Sequence, residues 1–227
     1  MLNLIEEKAE WPTDLEYARA VTLAKTMPPS IDDPFKYRLL LMLPALYRLW
    51  ARMRLKDMEA WVATWDIPEI YAGVPGKGAE HAWYKTALDV EQAMIEGEDL
   101  SMTMFDLTKA FDHIPRKLLY RIMSQAGFPR KLLRAYEAFL ENLQVFYTIA
   151  DSAGPYHARR RSIPQGDPWS MMAMALFIRP WIMLAKSKGL LPRSLADDML
   201  LAAKGPRADL RLEEGVNDTL GIIDDMN

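Results

Sequence analysis

Two adjacent aspartates, Asp197 and Asp198, are the most constraining feature of this sequence, because apolar segments enclose them on both sides (LLPRSLA before, MLLAA after). Two charges inside an apolar strand cost free energy unless another group pairs with them. The pattern of residues 195–203, apolar on both sides of the two aspartates, predicts a tight hairpin. A divalent metal ion is the partner that such paired carboxylates favour.

The composition narrows the kind of metal. The 227 residues include no cysteine, and the three histidines lie far apart, without the spacing of zinc ligands. A catalytic metal ion would therefore be a hard cation held by carboxylates, which indicates Mg²⁺ or Mn²⁺.

The order of predicted elements favours an α+β fold over a doubly wound sheet, because helices alternate with few, short strands. A proline-initiated helix is predicted from Pro44 to Trp65, and a second helix over residues 79–96 ends at Gly97. The remaining predicted elements are a strand over residues 18–25, a strand over 101–106, helices over 115–142, a hairpin over 144–163 and a buried helix from Pro168.

No part of the sequence predicts a membrane partner. The apolar run over residues 169–178 is too short to span a bilayer, and the acidic N-terminus does not resemble a signal peptide. We therefore expect a soluble, intracellular protein.

Two further segments carry residues that suit chemistry. FDLTKAFD (residues 105–112) places Asp106 at the end of a predicted strand and Phe111 five residues later. SIPQGDPWS (residues 162–170) contains Pro-Gln-Gly followed by Asp167 and a proline, which is a typical helix start. Each segment alone has an ordinary explanation as a turn or a helix cap, so their order along the chain is the informative feature.

In this order the segments resemble the reverse transcriptases of non-LTR (LINE-type) retrotransposons, whose palm carries D-x-x-x-A-F-D, then P-Q-G, then A-D-D. Residues 37–50 and 23–25 resemble the arginine and lysine motifs of the fingers, so the similarity covers residues 19–203. The sequence differs from the family pattern at Ser162, where glycine is usual, and at Asp167, where a small residue is usual.

The resemblance implies a right-hand polymerase fold with helices packed on a small antiparallel sheet. Residues 1–100 would form a fingers-like region with the start of the palm, and residues 101–227 the palm with its catalytic motifs, with a thumb that is missing or incomplete. The implied activity is RNA-directed DNA polymerisation, in which two metal ions assist nucleotidyl transfer from a dNTP to a primer 3′-OH. The partners would be an RNA template with a DNA primer, and dNTPs.

The resemblance also implies roles for individual residues. Asp106 and Asp197 would be the main metal ligands, with Asp198 secondary because neighbouring residues on a strand face opposite ways. Phe111 resembles the steric gate that excludes a 2′-hydroxyl. Four further residues resemble those that contact the nucleotide and its triphosphate: Lys25, Arg38, Gln165 and Gly166.

A net charge of −3 is unfavourable for binding nucleic acid, but the cations are clustered. Residues 113–136 contain no acid, and solvated helix faces are the plain alternative explanation. The predicted nucleic-acid contacts are Arg116, Lys117, Arg121, Arg159, Arg160 and Arg161.

Two other functions remain open at this point. An RNA-dependent RNA polymerase shares the palm and the Asp-Asp turn, although the bulky Phe111 argues against acceptance of a 2′-hydroxyl. The second alternative is a catalytically inactive fragment that only binds nucleic acid. The retained aspartates argue against it, and the expected absence of a thumb argues for it.

Overall fold

A computed structural model describes residues 1–25, 33, 36–107, 109–149 and 152–226. The chain divides into two compact units, each assembled from two separate stretches of sequence. The first unit comprises Met1–Met58 and Arg116–Ser170, and the second comprises Glu59–Pro115 and Met171–Asn227. The predicted division at residue 100 stays a prediction.

The first unit combines a mixed sheet with amphipathic helices. Strand β1 pairs with β2 in an antiparallel manner and with β4 in a parallel manner, and both β5 and β6 pair with β4. Its elements in chain order are α1 (Leu2–Lys8), a 3₁₀ turn (Thr13–Leu15), β1 (Tyr17–Ala24), β2 (Tyr37–Met42), α2 (Ala45–Asp57), α6 (Arg116–Gln125), α7 (Arg130–Asn142), β4 (Gln144–Ile149), β5 (Ser152–Ala153) and β6 (His157–Ala158).

An aromatic core holds this unit together. The rings of Tyr47 and Phe139 stack with centroids 3.6 Å apart, and Trp11 contacts both rings edge-on or tilted. The Nε1–H of Trp11 donates to the carbonyl oxygen of Ala135 at 2.8 Å, so the buried polar group of this indole is satisfied. Helix α7 supplies a continuous buried face at helical spacing: Leu132, Leu133, Tyr136, Phe139 and Leu140.

The helix predicted from Pro44 to Trp65 is interrupted at Met58, which separates α2 from α3 (Glu59–Trp65). The buried side of α2 also differs from the apolar side of its sequence, because Leu49 and Met53 are about half exposed (52% and 51%). Its larger aromatic residues turn into the core instead: Tyr47 and Trp50.

The second unit is built on a three-stranded antiparallel sheet in the order β3-β8-β7. Alternate residues of β8 pack into its core, with Met199, Leu201 and Ala203 at most 1% exposed. Helix α9 packs against β3 and β8, and Trp181 of α8 meets Phe105 of β3 edge-on at 6.0 Å. Its elements are α3 (Glu59–Trp65), α4 (Ala79–Glu96), β3 (Leu100–Asp106), α5 (Ala110–His113), α8 (Ser170–Ser187, whose first residue belongs to the first unit), β7 (Leu191–Leu195), β8 (Asp198–Lys204) and α9 (Ala208–Met226).

The predicted α+β fold is confirmed. Helix α4 has the predicted bounds, since Gly97 adopts the left-handed conformation (φ 67°) that ends helices. Within the described ranges, no helix is both long enough and apolar enough to cross a membrane.

Candidate active site

Two of the predicted metal ligands lie opposite each other in the second unit. Asp106 is the last residue of β3, and its partner across the antiparallel pair is Asp198, the first residue of β8. Residues directly opposite in such a pair share one face of the sheet, with Cβ atoms about 4.5–5.5 Å apart. Both side chains are exposed, so two carboxylates face solvent together at one end of the sheet.

Asp197 lies in the two-residue turn that joins β7 to β8. The residue before it, Ala196, has φ 57°, and its carbonyl oxygen accepts a hydrogen bond from the Ser194 hydroxyl at 3.0 Å. The turn places Asp197 beside the carboxylate pair, but the direct partner of Asp106 is Asp198. The predicted order, with Asp197 as a main ligand and Asp198 as a secondary one, stays a prediction that mutagenesis can test.

The apolar residues of β8 fix this arrangement. Met199 pairs with Phe105 and Leu201 with Thr103, and both β8 side chains are buried. A slip of one residue would turn the buried side chains outward and move Asp198 away from Asp106. The core of the unit therefore sets the separation of the two carboxylates.

The donor set suits a hard cation. Among the described residues, no group of three or more histidine, aspartate or glutamate side chains is arranged to hold a metal ion. Mg²⁺ usually binds through only one or two carboxylates, together with water and substrate phosphates. Asp106 and Asp198, exposed on one face, fit that requirement.

Phe111, the predicted steric gate, lies in the short helix α5 and is half-buried. The preceding Ala110 is 6% exposed and anchors this helix in the second unit. Lys109, the residue just before this helix, adopts the left-handed conformation (φ 51°).

The predicted triphosphate contacts lie in the first unit, on the hairpin of β1 and β2. Arg38 is the register partner of Leu23, and the backbone N–H of Lys25 donates to the carbonyl oxygen of Lys36 at 2.8 Å. Alternation along the strands places Lys25 and Arg38 on the same face, and both are exposed. Two exposed cations on one face of a hairpin can contact one polyanion.

The Pro-Gln-Gly segment runs along the edge of β2. The carbonyl oxygen of Gln165 accepts a hydrogen bond from the N–H of Leu41 at 2.9 Å. Gly166 has φ 121°, and a Cβ at this position would lie 2.6 Å from the carbonyl oxygen of Leu41. Only glycine fits both the conformation and the close approach, which gives Gly166 a structural requirement of its own.

Asp167 is buried rather than directed at a ligand. Its carboxylate accepts a hydrogen bond from the Tyr136 hydroxyl at 3.0 Å and one from the backbone N–H of Trp169 at 3.1 Å. Burial raises the pKa of this carboxyl to about 6, against the opposing effect of these hydrogen bonds. The sequence indicated only a helix cap, and no local signal pointed to burial against tyrosines.

Arg116, predicted to contact nucleic acid, is 2% exposed. Its Nε donates to the carbonyl oxygen of Ser162 at 2.9 Å, and its Nη1 donates to that of Leu140 at 2.6 Å. The guanidinium thus joins the segment before Pro-Gln-Gly to the end of α7. Burial leaves no guanidinium surface for a phosphate, so Arg116 has a structural role in place of the predicted nucleic-acid contact.

The other predicted cations lie at the surface of the first unit. Lys117 and Arg121 are exposed on α6, whose buried side includes Leu119 and Met123. After β6, Arg160 and Arg161 are exposed, whereas Arg159 is half-buried.

A family model described as "Reverse transcriptase (RNA-dependent DNA polymerase)" matches residues 28–225, so the chain belongs to this family. Apo telomerase from Candida tropicalis, truncated from its C-terminal domain, is similar in structure, with a TM-score of 0.67 and 8% identity over 95% of this chain and 50% of that one. Telomerase of the same organism in complex with a TWJ fragment of telomeric RNA gives a TM-score of 0.61 and 12% identity over 93% of this chain and 40% of that one.

At these identities the two telomerase structures show the fold alone, and the chain spans half or less of their length. No curated protein matches the chain. The expected reverse transcriptase resemblance and the polymerase fold, with helices on small sheets, are confirmed.

Proposed function

We propose that this chain is the fingers-and-palm part of a retrotransposon-derived reverse transcriptase, which copies an RNA template by adding dNTPs to a DNA primer. The observation that carries the proposal is the pairing of Asp106 with Asp198 across β3 and β8, with Asp197 in the adjoining turn. The family to which the chain belongs supports the same reaction class.

The carboxylates would hold the catalytic Mg²⁺ or Mn²⁺ ions. When bound, two such ions stabilise the attacking and leaving oxygens of an in-line phosphoryl transfer. Asp106 and Asp198 contribute exposed oxygens from facing strands, and Asp197 contributes a third carboxylate. Since the strands are anchored by buried side chains, the chain itself supplies the positioning of these groups.

The first unit would bind the triphosphate of the dNTP. Lys25 offers a point charge and Arg38 a planar fork that matches phosphate oxygens. Gln165, held at the edge of β2, would pack beside the nucleotide. In the second unit, Phe111 would select deoxynucleotides by excluding the 2′-hydroxyl.

Cations of α6 and of the segment after β6 would hold the phosphates of the primer–template. Four of them are exposed (Lys117, Arg121, Arg160 and Arg161), and Arg159 is half-buried. The acidic net charge of the chain limits this grip. Because the contacts are between cations and phosphates, binding should weaken as salt rises.

Primer extension on an RNA template by a longer, active polypeptide that contains this chain tests the proposal, with Asp106→Asn, Asp197→Asn and Asp198→Asn compared in Mg²⁺ and in Mn²⁺. We expect Asp106→Asn and Asp197→Asn, which change the predicted main ligands, to reduce the rate by at least about a thousandfold, since a metal clamp contributes several kcal/mol in the transition state. An equal loss in Asp198→Asn would show that the direct partner of Asp106 is a main ligand as well. Asp99→Asn, at the opposite end of β3, is the matched control and should extend like the parent. Near-parent extension by Asp106→Asn would contradict the metal assignment.

A second readout separates the alternative functions. Electron paramagnetic resonance of Mn²⁺ reports metal binding without turnover, and the Asp106→Asn and Asp197→Asn variants should bind a smaller fraction of the added Mn²⁺ than the parent does. A parent chain that binds RNA–DNA hybrid but neither Mn²⁺ nor dNTP would be an inactive binding fragment. Incorporation of NTPs in preference to dNTPs on the same template would indicate an RNA-dependent RNA polymerase.

A further inference from the structure

In the sheet of the first unit, one face is covered over part of its area and the other face is open. On the covered face, Ala18, Ala20 and Val145 are at most 1% exposed. Strand alternation and register place a different set on the open face, where every residue is at least partly exposed: Tyr17, Arg19, Val21, Leu23, Arg38, Leu40, Met42 and Phe146. This open face mixes aromatic, aliphatic and basic side chains.

Three aromatic rings meet on that face, where β1, β4 and the segment before β6 lie side by side. The ring of Tyr156 lies 5.0 Å from that of Tyr17 and 5.4 Å from that of Phe146, in each case edge-on. Tyr17 is 44% exposed and Tyr156 is 59% exposed. We call Tyr17, Phe146 and Tyr156 the aromatic platform.

Packing alone does not account for the aromatic platform. Cross-strand aromatic pairs do stabilise sheets, and that contribution is expected here as well. However, the other aromatic cluster of this unit is covered completely, with Trp11, Tyr47 and Phe139 at most 6% exposed. Unlike that cluster, the platform keeps the rings of Tyr17 and Tyr156 partly in water, where a ligand can contact them.

Basic residues accompany the platform. Arg19 is the register partner of Phe146 and is exposed, so a guanidinium lies beside the rings. Arg160, two residues after β6, is also exposed. Exposed aromatic rings that alternate with cations are typical of surfaces for single-stranded nucleic acid, where bases stack and cations contact the backbone.

We propose that the aromatic platform stacks bases of a single-stranded segment of nucleic acid, with Arg19 in contact with its phosphates. Leu23, the register partner of Arg38, lies six residues after Tyr17, about 20 Å along β1 at 3.3 Å per residue, and Lys25 follows two residues later. The platform is therefore separate from both residues proposed to bind the triphosphate. The inference rests on the proposed function only in taking nucleic acid as the bound polymer. The binding itself needs neither a metal ion nor turnover.

Fluorescence anisotropy with labelled oligo(U) and oligo(dT) of about twelve nucleotides measures this binding directly. The test variant is Tyr17→Leu with Tyr156→Leu, which keeps apolar bulk on the strands and removes both phenol rings. Loss of one stacked base should weaken binding by about tenfold or more. The matched control is Trp83→Leu with Tyr84→Leu on α4, whose rings are 74% and 62% exposed in the other unit and should not matter.

Two measurements do not depend on how well the leucine variant folds. Arg19→Gln should lower the slope of log affinity against log salt by about 0.7, the value for one phosphate on a single strand. In the parent, ultraviolet crosslinking of 5-iodouridine oligonucleotides should label Tyr17 or Tyr156, as located by mass spectrometry. If these residues had only a structural role, neither the salt slope nor the crosslinks would show this result.

The outcomes separate this inference from the proposed function. A parent chain that binds oligonucleotide through the platform but extends no primer would support the inference and contradict the proposed polymerase function. Unchanged affinity in a folded leucine variant, or crosslinks confined to other residues, overturns the inference. Self-association that disappears in the leucine variant, without oligonucleotide binding in the parent, would identify the platform as a protein contact and also overturn it.

Discussion

Ser162 occupies a backbone conformation that favours glycine, and its replacement by glycine should stabilise the protein. The residue has φ 95° and is fully buried. Its hydroxyl finds no hydrogen-bond partner within the described part of the chain. Its carbonyl oxygen accepts the hydrogen bond from Arg116, and Ser162→Gly keeps that bond because only the side chain is removed.

The magnitude follows from three contributions. A strained non-glycine conformation costs about 1–3 kcal/mol, and a buried unsatisfied hydroxyl costs about 1–3 kcal/mol. Two effects of glycine oppose this gain in stability. The greater freedom of the unfolded chain lowers the free energy of unfolding by about 0.5–1 kcal/mol, and the volume left by the side chain lowers it further. We expect Ser162→Gly to raise the free energy of unfolding by about 1–3 kcal/mol.

Urea and thermal unfolding of the parent, Ser162→Gly and Ser162→Ala measure the effect. Alanine removes the hydroxyl but keeps a Cβ at φ 95°, so the difference between glycine and alanine isolates the backbone strain. Each kcal/mol should shift Tm by about 2–4 °C for a chain of this size. A Ser162→Gly variant that is no more stable than Ser162→Ala would refute the strain argument.

Three further predictions concern pH, sugar choice and binding. Since burial raises the pKa of Asp167 to about 6, its ionisation penalty is absent below about pH 4 and complete above about pH 6. Asp167→Asn should therefore raise stability at pH 7–8 by up to about 3 kcal/mol and flatten the pH dependence seen in urea titrations; a steeper dependence would contradict this. Phe111→Ala, in a folded and active polypeptide, should raise ribonucleotide incorporation relative to deoxynucleotide, and unchanged preference would leave Phe111 as packing alone. This chain by itself should bind labelled RNA–DNA hybrid weakly, lose affinity with a log–log slope near 0.9 per phosphate contacted, and extend the primer poorly; tight, salt-insensitive binding with processive synthesis would refute that.

The sequence alone determined the family, the α+β class and most of the elements. Helix α4 followed from its apolar spacing and from Gly97, since helices depend on interactions between residues three or four positions apart. The motifs around Asp106, Gly166 and Asp198 were readable for a similar reason, because each is a short segment whose identity and order do not depend on packing.

Only the tertiary structure decided which of these residues meet. The pairing of Asp106 with Asp198 joins distant strands, and its register is set by buried residues of β8 that no local pattern specifies. Likewise Arg116 and Asp167 read as a surface cation and a helix cap, yet both are buried, with hydrogen-bond partners supplied by α7 and, for Arg116, also by the carbonyl oxygen of Ser162. Burial of a charged group depends on partners far away in the sequence, and those partners become known only when the chain is folded.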